Sequence, residues 1–88
     1  MSDPITLKPE HRARIRNSST KKGYVVELRF ARRPRGGKVR PAFIFCGVVR
    51  QPAADEAASA QARYRDFVTS RRIHTVDHMG TVLATEEV

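Results

Sequence analysis

Tyr24, Val26, Leu28 and Phe30 alternate with Val25, Glu27 and Arg29, the period-two pattern of a strand whose aromatic and aliphatic side faces a core. Upstream, Arg12, Arg14 and Arg16 alternate with Ala13 and Ile15, which predicts a short first strand carrying its arginines on one side. Asn17 to Gly23, a polar run ending in glycine, reads as the turn between them. Residues 39–49, VRPAFIFCGVV, predict a third, apolar strand whose inward face the periodicity leaves open. The intervening Arg32 to Lys38 contains Pro34, which has no amide donor, and paired glycines, so it is expected to form a basic hairpin loop.

Gln51-Pro52 opens a helical pattern. Proline suits the first turn, Asp55 and Glu56 suit the positive end, and Arg71 and Arg72 suit the negative end. Ala57, Ala60, Tyr64, Phe67 and Val68 fall on one apolar stripe at helical spacing. Beyond it, Ile73 to Ala84 suggests one or two short strands interrupted by Asp77-His78-Met79-Gly80. The expectation is an α+β fold, a three-stranded antiparallel sheet packed on one helix in the C-terminal half, with a short extra strand or tail after it. Residues 1–10, containing Pro4 and Pro9, read as a flexible N-terminal arm, 11–72 as the βββα domain, and 73–88 as short strands and tail.

At 88 residues the chain has room for one domain with a thin core and none for a separate cofactor domain. No basic n-region precedes an apolar stretch, and no apolar run reaches the ~18 residues of a membrane span, so a soluble cytoplasmic protein without membrane contact is expected. The single Cys46 fits a reducing compartment and the role of a small buried hydrophobe. Accordingly the Asn17-Ser18-Ser19 sequon reads as accidental.

Charge changes the picture. Thirteen of the seventeen Lys and Arg residues lie in the first fifty positions, opposed there only by Asp3, Glu10 and Glu27, whereas residues 51–88 hold four arginines against six acids. A field of one sign confined to one part of a small domain steers a polyanion, and phosphate backbones are the commonest such partner. Arginines converging on one sheet face repel one another, which a purely structural role does not favour.

Other chemistry is sparse. His74 and His78 are four apart, a spacing that suits a metal only on one helix face, and they fall beyond the helix with one distant cysteine. No metal or cofactor is expected. Ser70, His74, Asp77 and Cys46 can be arranged on paper as nucleophile, base and orienter, but nothing resembles a nucleophile elbow or a paired-carboxylate site. A binding protein, not an enzyme, is the expectation.

Three strands followed by a helix, with Tyr24-Val25-Val26-Glu27-Leu28-Arg29 as an aromatic-x-x-Glu-aliphatic-Arg strand, Cys46-Gly47-Val48-Val49 at the end of the third strand and Glu56-Ala57-Ala58 near the start of the helix, resemble the DNA-binding domain of the APETALA and ethylene-response-factor type and the related arm-binding domain of phage tyrosine integrases. The likeness covers residues 12–68, and Arg14 and Arg16 match the arginines of that family's first strand. It implies a sheet laid in the major groove with arginines reading guanine edges. The first turn is longer here, the family's tryptophans are missing, and residues 73–88 have no counterpart.

The functional expectation is a small basic module that binds nucleic acid, duplex DNA before RNA, as a phage or mobile-element regulator or accessory factor would. Arg14, Arg16 and Arg29, beside Arg12, would reach base edges. Glu27 would accept from cytosine or hold an arginine in place, and Lys21, Lys22, Arg33, Arg35, Lys38 and Arg40 would take phosphates. The alternative is a protein-interaction module or inhibitor whose basic face meets an acidic partner. Exposure of Phe43 and Phe45 beside the arginines bears on both, since aromatics can stack on bases or anchor a protein interface.

Overall fold

The computed structural model describes residues 4–31, 41–64 and 67–88. Helix α1 spans Pro9–Arg16, strand β1 Gly23–Phe30, β2 Ala42–Phe45, helix α2 Arg50–Tyr64, β3 Val68–Val76 and β4 Val82–Glu87. The four strands form one antiparallel sheet in the order β2-β1-β3-β4. Strands β2 and β3 therefore run parallel on either side of β1, with α2 as the crossover between them. The α+β class holds, with a four-stranded sheet in place of three. Two strands, not three, precede α2, unlike the order that the family resemblance implies.

The alternation in β1 turns Tyr24, Val26, Leu28 and Phe30 toward α2 as expected, but Val25 and Glu27, expected to face away from a core, are buried on the opposite face. Val26, Leu28 and Ile73 pack with Ala53, Ala57 and Ala60 of α2, and Tyr24, Phe30, Ala42, Ile44 and Cys46 close around them. The three alanines are at most 1% exposed, and their small side chains let the helix lie close on the sheet. Arg71 also faces α2 and donates from Nη1 to the Ala57 carbonyl at 3.3 Å. At the start of α2, Arg50 grips Glu86 of β4 through two hydrogen bonds of 3.0 and 2.6 Å.

The arginine-bearing segment is a helix and not a strand. Pro9 stands in the first turn, Glu10 at the positive end and Arg14 and Arg16 in the last turn, an arrangement that suits the helix dipole. Alternating arginines mimic a strand, but the only large aliphatic side chain of the segment, Ile15, needs just one buried face. It lies fully buried with Ile5, Leu7, Val25 and Val76, while Phe45, Val48 and Val82 pack around them. This second core covers part of the sheet face opposite α2.

Residues 4–8 are consequently docked and are not a loose arm. Ile5 is 9% exposed and its amide donates to the Gly80 carbonyl at 2.8 Å. Gly80 adopts φ +82°, and a Cβ there would collide with the Ile5 carbonyl, so only glycine fits both the turn and the contact. The rest of that turn depends on Asp77, whose Oδ1 accepts from the amides of Met79 and Thr81 at 2.9 and 3.0 Å. Residues 73–88 thus belong to the sheet of the one domain.

Helix α2 ends at Tyr64, and Val68 already begins β3. Phe67 is 61% exposed, so the apolar stripe expected through Phe67 and Val68 stops short of both. Among the described residues no helix is long and apolar enough to cross a membrane.

Candidate nucleic-acid interface

Six cations project from α1 and the residues that flank it on either side. Lys8, Arg12, Arg14, Arg16, Lys21 and Lys22 are all exposed, and among the described residues none of them is in an ion pair. Glu10 is the only carboxylate among them. Arg12 and Arg16, four apart, share one side of the helix. Arg14 lies elsewhere on the helix, its guanidinium carbon 5.6 Å from the centroid of Phe45. The predicted convergence of Arg12, Arg14 and Arg16 with Arg29 on a sheet face is corrected accordingly: three of the four are on a helix lying over that sheet.

The turn is held by its own polar groups. Ser18 Oγ donates to the Ile15 carbonyl at 2.6 Å and accepts from the Lys21 amide at 3.1 Å. Lys21 takes φ +57°, and its ammonium donates to the Arg16 carbonyl. The basic surface is thus carried on an ordered connection. By contrast, acids near the opposite sheet edge already have partners, Glu86 with Arg50 and Glu87 with Arg72. Hydrogen bonding from Arg50 holds the Glu86 carboxyl below its ordinary pKa.

The part of the sheet that α1 leaves uncovered carries a polar chain across three strands. Arg29 Nε donates to Glu27 Oε2 at 2.6 Å, His74 Nε2 lies 2.6 Å from Glu27 Oε1, and His74 Nδ1 lies 2.9 Å from the Thr85 hydroxyl. With Glu27 ionised, Nε2 carries the proton it donates to the carboxylate. Burial alone would raise the Glu27 carboxyl, yet the hydrogen bonds and charges of Arg29 and His74 outweigh it and hold the pKa below the ordinary value. Glu27 is 5% exposed, so it does not accept from a cytosine. Its carboxylate is hydrogen-bonded to Arg29, half of whose side chain faces solvent.

Phe43 stands directly opposite Glu27 on β2 and is 48% exposed. Its ring centroid is 6.5 Å from that of His74. Phe45 is half-buried under His11, the two rings stacked at 4.3 Å with a 21° tilt. A cavity of about 100 Å³ opens beside them, with Leu7, Lys8, His11, Val25, Phe43 and Phe45 in its walls.

Of the cations expected to contact a partner, Arg12, Arg14 and Arg16 lie on α1, Lys21 and Lys22 lie between α1 and β1, and Arg29 lies on β1. Arg33, Arg35, Lys38 and Arg40 lie outside the described residues. His11 and Thr85 escaped sequence reasoning. The histidine is visible as an aromatic within the basic helix, but only the docking of α1 onto β2 pairs it with Phe45. Cys46 is half-buried, and burial pushes its thiol pKa up, which suits a packing residue. His78 is exposed in the turn while His74 is buried, and no group of three or more potential metal ligands occurs among the described residues.

Scans against protein-family models, curated proteins and solved structures found no match.

Proposed function

We propose that this protein is a small cytoplasmic nucleic-acid-binding module, a binding protein and not an enzyme, with duplex DNA as the favoured partner. The observation that carries the reading is the group of six exposed cations from Lys8 to Lys22, none of them in an ion pair among the described residues. A protein surface ordinarily intersperses charges of both signs, whereas unneutralised cations on an ordered helix and turn suit a row of phosphates. Helix α1 and its turn make the phosphate contacts, and Arg29, steadied by Glu27, is the sheet residue placed to reach a groove. A purely sheet-borne readout by Arg14 and Arg16 is not retained, because both lie on α1.

The test is binding to a labelled duplex across a salt series, beside single-stranded DNA, RNA and an acidic protein surface of comparable charge density. Four to six phosphate contacts predict a log-log slope of about −4 to −5 on duplex DNA. A flat response, or equal affinity for the acidic protein, would favour the protein-partner alternative, for which the exposed Phe43 beside Arg29 is the supporting feature.

A further inference from the structure

Resting on that reading, we infer that the nucleic acid this protein prefers presents an unpaired base, which stacks on Phe43 at the mouth of the cavity between β2 and the docked N-terminal segment. Phenylalanine on an edge strand at 48% exposure is a hydrophobic surface left open at the border between the part of this face covered by Ile5, Leu7 and α1 and the part that carries the polar chain. The side chain is flanked by the hydrogen-bonded pair of buried Glu27 and His74 on the neighbouring strands. A planar aromatic platform with a rigid base is what base stacking requires.

Charge decides the class of occupant. Lys8 lines the cavity on one side of Phe43, and Arg29, two residues on from Glu27 on the same face of β1, stands toward the other side. A nucleotide carries phosphates on both sides of its base, so cations flanking an aromatic match it. The cavity, about 100 Å³, is smaller than the ~150 Å³ that takes a benzene ring, so it admits the edge of one base and not a bulky segment. Fully paired duplex keeps its bases stacked inside and leaves Phe43 unused. A duplex with a frayed, gapped or single-stranded end satisfies both the platform and the basic helix.

The experiment uses the full chain and four labelled DNAs: a blunt duplex, the same duplex with a short single-stranded overhang, the same overhang built from abasic residues, and the single strand alone. The overhang duplex is expected to bind roughly 5- to 100-fold more tightly than the blunt one, as stacking of one base allows. The abasic overhang, with the same phosphates, should bind like the blunt duplex. Phe43→Ala should remove the preference and leave blunt-duplex affinity and salt slope unchanged, and Phe43→Trp should retain it. Equal binding of the overhang and abasic probes, or an equal loss on all probes in Phe43→Ala, overturns the stacking site while the basic surface stands. Failure of all four DNAs to bind overturns the nucleic-acid reading itself. Thermal melting of both variants checks that an affinity change is not unfolding.

Discussion

Ile15 of α1 sits over Gly23 of β1 so closely that a Cβ on the glycine would lie 2.5 Å from Ile15 Cδ1. The missing side chain is a notch in the sheet, and the only large aliphatic side chain of a strongly basic helix fills it. This notch is the tightest of the contacts that seat α1, beside the stacking of His11 on Phe45, and the display of Arg12, Arg14 and Arg16 follows from that seating. Ile15→Ala is expected to cost about 2–5 kcal/mol, and Gly23→Ala to destabilise by overpacking about 1–3 kcal/mol. Urea unfolding of both variants measures this. Unchanged midpoints would mean that the helix does not depend on this contact.

The cations of α1 should behave in the opposite way. Arg12→Ala and Arg16→Ala leave no buried group unpaired, so their melting temperatures should match the parent or rise slightly as repulsion is relieved. On duplex DNA each should reduce the steepness of the log-log salt dependence by about 0.9. Variants that melt early without any change in slope would give these residues a structural role instead.

Glu27 links stability to pH, with a sign that follows from its lowered carboxyl pKa. A carboxyl held lower in the folded protein than in the unfolded chain stabilises the fold above the unfolded value, and that contribution disappears as pH falls through the folded value. Glu27→Gln should cost on the order of 1–3 kcal/mol at neutral pH, since a buried charged hydrogen-bond acceptor is replaced between Arg29 and His74. The gap between parent and variant should narrow as pH is lowered below about 4. Chemical denaturation at pH 7, 5 and 3 measures it, and a gap that widens on acidification would reverse the assignment.

Core and surface apolar side chains should separate cleanly. Leu28, 1% exposed beneath α2, should cost about 2–5 kcal/mol when cut to alanine. Phe67, at 61% exposure, should change stability by no more than about 0.5 kcal/mol. Thermal unfolding of the pair decides whether α2 is seated by its alanines, as the packing shows, or by an aromatic beyond its end.

The sequence alone determined the α+β class, the face of β1 that meets the helix, and the concentration of charge in the first fifty residues. Alternation from Tyr24 to Phe30 and the proline-led, alanine-rich start of α2 are local signals that packing kept on the α2 side, whereas tertiary context buried Val25 and Glu27 on the other face and ended α2 before Phe67. It also marked Arg29, Glu27 and Phe43 as residues of interest. What it did not determine was the conformation of 12–16. Alternation of charged residues says nothing about which face is buried, and both strand and helix leave those arginines in water. Only docking decided it, because Ile15 finds its notch at Gly23 as a helix. Likewise Glu27 and His74, forty-seven positions apart, meet through the β1–β3 register. The return of Ile5 to Gly80 also turned an apparent tail and an apparent arm into parts of one packed sheet. Such contacts depend on which distant surfaces bury each other, a property of the assembled chain and not of any local pattern.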